Sequence, residues 1–331
     1  MSATLRRMIL MTLAATLGLG AGPPVQLRLL HVVIVTEGSN TQHQPQVNGL
    51  RDGLEELKYV EGENLSWRRI DGETRQELAS NLKSWLQQQP VDIIVTLGTT
   101  ETAVARAIAP KSPMVFLPAA DPVRSGFVHS LASPKTNLTG LAFFTDSSNL
   151  GKQLEIFKQV VPSLEKVWVL LDARLKSSAF GESWRKFVAV AGWLGVQVTQ
   201  LPVASSAEGS RKIVALADPS SGDGVFVFCS GLFKDVGEIA AAATKRKLPL
   251  FGCNAFQVAE QNVLLSYAPD LYSLGYRGAW FVDRIFKGAK PEDLPVEAPR
   301  KFELVINHKV AGEIGLKISP GMLMLADRVF R

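Results

Sequence analysis

Gly98, Thr99 and Thr100 follow an apolar run, Val91 to Leu97, and precede a helical pattern carrying Ala103, Val104, Ala107 and Ile108. A glycine and two hydroxyls where a helix begins can offer side-chain oxygens and unbonded backbone N–H groups to a carboxylate or another anion. The same threonines can equally serve as plain helix caps. Asp121, before Pro122, follows the next apolar run and can receive an ammonium or hydroxyl, or simply form an Asp-Pro turn. Ser39 and Asn40 occupy the corresponding exit after the run Leu29 to Thr36. Further along, Asp172 with Arg174, Ser230 with Phe233, and Asn254 stand at similar exits, and Tyr267 lies beside a passage between lobes, as a contact or as hinge packing. These groups suit reversible capture of a small polar solute, with Phe233 either facing a ring or packing under its own loop. Replacing Asp121 by Ala and Thr99 by Val is expected to weaken such binding with the fold intact.

Catalytic apparatus is not evident. GxSxG, GxxxxGK[ST], HExxH and GxGxxG are all missing from the sequence. The four histidines are scattered: His31 in a buried strand, His43 in a loop that could reach a cleft, His129 in a helix and His308 in a terminal segment. Neither a catalytic residue, a metal ligand set nor a cofactor is expected.

The elements that must position these exits alternate along the chain. Runs such as LLHVVIVT (29–36), VDIIVTL (91–97), KVWVLL (166–171) and VFVF (225–228) are apolar without alternation, which predicts strands covered on both faces in parallel sheets. Between them lie helical patterns, for example Val47, Leu50, Leu54 and Leu57 after Pro45. Residues 204–209 read as a loop, and the tail from Lys309 to Phe330 as helical, broken at Ser319-Pro320-Gly321. The fold class is therefore α/β, with two doubly wound, Rossmann-like lobes joined by several crossings that form a hinge. The lobes are expected at 28–144 with 270–298, and at 145–268 with 300–331. In such sheets ligands bind beyond the carboxyl ends of the strands.

At 331 residues, two domains are the natural expectation. The 36 basic and 31 acidic residues are dispersed, with no basic block interleaved with aromatics, so no nucleic-acid partner is expected. Arg6 and Arg7 precede an uncharged run from Met8 to Gly22 and then Pro23-Pro24, which predicts a signal peptide over 1–22. An uncleaved anchor and the twin-arginine route are the alternatives. No cysteine follows that run to carry a lipid, so a free, exported, periplasmic and monomeric chain is expected. Cys229 and Cys253 are expected as two buried thiols, a bond between them being open if their strands are neighbours.

Four segments carry a wider likeness: YVEGENLSW (59–67), VDIIVTLGTTETAVARAI (91–108), residues 113–141, and residues 281–316, where KGAKPEDLPVEAP precedes KFELVIN. They resemble ABC-transporter substrate-binding proteins of the uncharacterised type related to tryptophan- and tyrosine-binding components, over about residues 28–330. The resemblance implies a type I periplasmic-binding fold, capture of an amino acid or similar small solute, and delivery to an ABC permease at the inner membrane. A periplasmic sensory module that presents its bound state to a membrane receptor is the alternative. Asp121-Pro122-Val123 and Gly126 match the pattern of the family. Glu101 stands where a Pro is common, and Cys229-Ser230 where Asp-Pro is common, so the solute is open to differing from those of relatives.

Overall fold

The computed structural model describes residues 29–38, 41–143, 148–174, 178–217 and 219–331. Segment 1–28, with the export signal expected there, and Ser39 and Asn40 lie outside the described residues. The chain first lays down β1 (Leu30–Glu37), α1 (Gln44–Glu56), β2 (Leu65–Gly72), α2 (Arg75–Leu86), β3 (Ile93–Thr96), α3 (Thr99–Ile108), β4 (Met114–Ala119) and β5 (Leu138–Ala142). These strands form one sheet in the order β2-β1-β3-β4-β5, with every pairing parallel.

Successive side chains of a strand point to opposite faces, so an unbroken apolar run needs cover on both. In β1, Val32 and Ile34 join a cluster with Leu50 and Leu54 of α1, while Val33 and Val35 join one with Leu78 and Leu82 of α2. Leu50 and Leu54 are fully buried, and each such side chain stabilises the fold by about 2 kcal/mol.

The second sheet follows the same plan. Its elements are α4 (Ser148–Val160), β6 (Lys166–Asp172), α5 (Ser178–Trp193), β7 (Gln197–Val203), α6 (Ser206–Val214), β8 (Asp223–Val227), α7 (Gly237–Lys245), β9 (Leu250–Gly252), α8 (Ala255–Glu260) and β10 (Leu265–Pro269). After β10 comes α9 (Leu271–Phe286), then β11 (Phe302–Asn307), α10 (His308–Ile314), α11 (Pro320–Leu325) and β12 (Arg328–Phe330). The strand order is β12-β11-β10-β9-β8-β6-β7, parallel except between β10 and β11. The molecule is thus an α/β protein of two doubly wound lobes.

Helix α9 is the element that ties them. It leaves β10 of the second sheet, yet packs on α1 of the first so closely that a Cβ on Gly275 would meet the backbone oxygen of Gln46, and one on Gly49 that of Tyr272. The chain then returns to the second sheet as β11, after Glu297 has bridged to Leu141 of β5.

Three local expectations are corrected. Residues 206–209 are helical, because Ser205 and Glu208 cap α6 reciprocally: Ser205 Oγ accepts from the Glu208 N–H and a Glu208 carboxylate oxygen from the Ala204 N–H. The tail ends as β12, whose Arg328, Val329 and Phe330 extend the sheet beside β11. His129 sits in an irregular loop, its N–H donating to Pro134 O, next to a tight turn in which Ser130 Oγ donates to Ser133 O and accepts from the Ser133 N–H.

Candidate functional site

Each sheet reverses its winding at one point, between β1 and β3 in the first and between β6 and β8 in the second, which is where crevices open in such folds. A cavity of about 220 Å³ lies between the carboxyl ends of the two sheets. That volume holds about seven water molecules at ~30 Å³ each, the scale of a small solute. One side is formed by His43, Gln46, Gly98, Thr99 and Phe143, the other by Cys229, Ser230, Phe233, Lys234 and Asn254. A larger hollow of about 430 Å³ adjoins it, lined by residues of α1, α8, the start of α9, β11 and β12.

On the first sheet the rim is tied down by its own side chains. Thr99 Oγ1 accepts from the Ala120 N–H at 2.8 Å, joining the exits of β3 and β4. Glu101, 3% exposed, folds its carboxylate back toward Gly98, where a Cβ would collide with it. There it accepts from the Glu37 N–H at 3.1 Å and from its own N–H. Burial pushes the Glu101 carboxyl above the usual carboxylate range, against the pull of those two N–H groups and of Lys234. The anion-attracting end of α3 is therefore occupied by a side chain of the protein itself.

His43 lies in the short turn Thr41–His43 that leads into α1. Its Nδ1–H donates to Gln46 Oε1 at 2.8 Å, and its Nε2 accepts from Gln42 Nε2 at 3.2 Å. Burial, joined by the cations of Arg69 and Lys234, lowers its pKa to about 4, so the ring is neutral. Gln46, 1% exposed, also donates to Leu117 O at 2.7 Å.

On the second sheet the exits of β8 and β9 are joined covalently. Cys229 and Cys253, Cα atoms 5.5 Å apart, form a disulfide in the cavity wall. The expectation of two thiols is corrected: β8 and β9 are paired neighbours, which brings both cysteines to one edge. Gln257 reinforces the join, accepting from the Cys253 N–H and donating to Phe233 O, both at 2.7 Å. Ser230 Oγ accepts from the Leu232 N–H and donates to Asp172. Asn254 Oδ1 caps α8 by accepting from the Gln257 N–H.

Of the residues singled out from sequence, Gly98, Thr99, Ser230, Phe233 and Asn254 meet at this cavity. Thr100 lies in the same helix start, outside the lining. Asp121 turns away: it is half-exposed, accepts from the Arg124 N–H and pairs with the Arg124 guanidinium at 3.2 Å. Asp172 stands behind the wall in a bidentate pair with Arg174, whose hydrogen bonds hold its carboxyl below the usual range. Tyr267 stacks on Phe302 inside the second lobe. Phe233 is buried in the core beneath its loop and borders the cavity. Sequence reasoning passed over Gln42, Gln46, Phe143, Lys234 and Leu271; the one available signal was Lys234, directly after Phe233 in a strand exit.

Comparison with known proteins accords with this geometry. Residues 31–330 match the profile of the family described as ABC transporter substrate binding protein. The chain belongs to that family. Substrate-binding proteins of this kind take up small-molecule solutes outside the cytoplasm and work with ABC permeases. A relative described as a tyrosine-binding protein of Clostridioides difficile (strain R20291) is 22% identical over 261 residues, 78% of this chain and 73% of that one. Among solved structures, an ABC domain in complex with L-Trp from Streptococcus pneumonia superposes with a TM-score of 0.78, at 21% identity over 91% of this chain and all of that chain. An arabinose-binding protein from Geobacillus stearothermophilus gives 0.60, at 16% identity over 86% and 99%. These likenesses place the substrate-binding protein in the type I periplasmic-binding fold. No helix among the described residues is long and apolar enough to cross a membrane.

Proposed function

We propose that this chain is the solute receptor of an ABC importer and closes on one amino acid with an apolar, aromatic side chain. The observation that carries the reading is the cavity between both carboxyl edges: Leu97, Pro118, Phe143, Phe233 and Leu271 give carbon walls, and Thr99, Lys234 and Asn254 supply polar groups. An aromatic ring fits such walls through offset or edge contacts. The relatives described as binding tyrosine and L-Trp favour the same class over sugars. The receptor is a monomer that binds no nucleic acid, with one lobe from 28–144 and 270–298 and the other from 145–268 and 300–331. A disulfide in the binding wall suits an exported protein.

Thermal-shift screening against amino acids, sugars and nucleosides tests this. A ligand at 100 times its dissociation constant adds about 2.7 kcal/mol to the stability of the folded form. L-tryptophan or L-tyrosine is expected to raise the melting temperature while arabinose leaves it unchanged; a shift with the sugar alone would overturn the amino-acid reading.

A further inference from the structure

The polar groups facing the cavity are unequal in what they have left to give. Thr99 Oγ1 already accepts from Ala120, Ser230 Oγ from Leu232 and Asn254 Oδ1 from Gln257. Their acceptor sites are engaged by the backbone, whereas no described group accepts from Asn254 Nδ2 or from the Thr99 hydroxyl proton. Lys234 is the one cationic side chain lining the cavity among the described residues, because His43 is neutral. An ammonium has three donors and no acceptor. It forms an ion pair across the cleft with Glu37, at the end of β1, and this leaves donors for a second partner.

The opposite wall offers an anion much less. The N-terminus of α3, which in a sheet of this kind attracts a carboxylate, is filled by Glu101. A ligand carboxylate placed there would face that buried acid. Among the described side chains lining the cavity, Lys234 and Asn254 of the second rim and Thr99 opposite keep donors to offer.

We infer that Lys234 anchors the ligand carboxylate, held in position by Glu37 of the facing lobe, so that closure itself assembles the anchor. This rests on the amino-acid reading above and adds the residue that selects for the acid group. The pair crosses from one lobe to the other, so Lys234 is drawn over the cavity when the rims approach. In the open form the two charges part and the anchor is lost, which couples recognition of the carboxylate to closure.

The test is isothermal titration of L-tryptophan and of L-tryptophanamide, which keeps ring and ammonium but lacks the carboxylate. Titrations use the whole mature chain as parent, Lys234→Met and Lys234→Arg. The parent is expected to prefer the acid by about 30-fold, the scale of a hydrogen bond between charged groups. Lys234→Met is expected to reduce that preference to within about threefold, and Lys234→Arg to restore most of it. Melting curves of the variants check that the fold persists, and Lys234→Arg keeps the test decisive should Lys234→Met melt early. A parent that binds both ligands equally, or a Lys234→Met variant that keeps the full preference, overturns the inference while leaving the amino-acid reading standing. The same pair of titrations is run with L-tyrosine and L-tyrosinamide, and a parent that binds none of the four overturns both.

Discussion

The rim of the first sheet is fixed by side chains that turn back on nearby backbone, Glu101 on its own helix start and Thr99 on Ala120. The rim of the second is fixed by the Cys229–Cys253 bond and by Gln257, which reaches both exit loops. Both devices stop the strand exits from drifting, but they differ in what they leave facing the solute. Folding Glu101 back places an acid of the protein itself at the helix start of the first rim, which disfavours a second anion there. A disulfide consumes no polar group, so Lys234 and Asn254 of the second rim keep donors to offer. Similar sheets therefore present chemically different walls, and the comparison can be pressed at several points.

The largest effect is expected from the covalent rim. Changing both Cys229 and Cys253 to Ser opens a loop spanning 24 positions, and loop entropy alone puts the loss near 3.5 kcal/mol. Urea unfolding of that variant should match the parent in dithiothreitol, and parent stability unaltered by the reductant would show that packing alone holds the second rim. A smaller loss, about 2–3 kcal/mol, is expected for Gly275→Ala, whose methyl meets Gln46 O where α9 lies on α1. Because α1 carries Gln46 into the cavity, this variant should also weaken ligand binding, and a neutral result would mean that the two helices can part freely.

Titration distinguishes two acids and bases on the first rim. Neutral His43 is favoured in the fold, while an unfolded imidazole takes up its proton near 6.5. The stability it contributes is present above pH 6.5 and is lost as the pH falls through about 4, by about 3 kcal/mol. Glu101 acts in the opposite sense: its raised pKa gives stability that is present below the ordinary carboxylate range and is lost as the pH rises through the raised value. His43→Gln should flatten the acid limb of the stability profile and Glu101→Gln the other; profiles unchanged in both would remove titration from the account of this rim. The smallest effect is expected for Asp121→Ala. With its carboxylate half-exposed and paired to Arg124, the loss should stay near 0.5 kcal/mol and ligand affinity within about twofold, which equilibrium dialysis can measure.

The last of these predictions reverses what the sequence suggested, and the reason is local. Asp121 has Arg124 three positions on, and Asp172 has Arg174 two positions on, so each acid pairs with an arginine of its own turn. That spacing is visible in the sequence and competes with the exit position as a guide to what each acid does. The strands were legible because their runs are apolar on both faces, and once they were placed, Gly98, Thr99, Ser230, Phe233 and Asn254 followed as exits. Gln42 and Gln46 were not legible. Gln46 lies where α1 packs against α9, which comes from the far end of the chain, and Gln42 lies in the turn just before it; no local pattern encodes that contact. The disulfide needed the pairing of β8 with β9, a fact of topology that a separation of 24 positions does not contain.

The most direct measurement is a crystal structure of the protein grown with L-tryptophan. The ligand is expected between Phe143 of one lobe and Phe233 of the other, with its carboxylate within hydrogen-bonding distance of Lys234 Nζ. Density for the amino acid on one lobe alone, or in the adjoining hollow beside α1 and α8, would contradict the account.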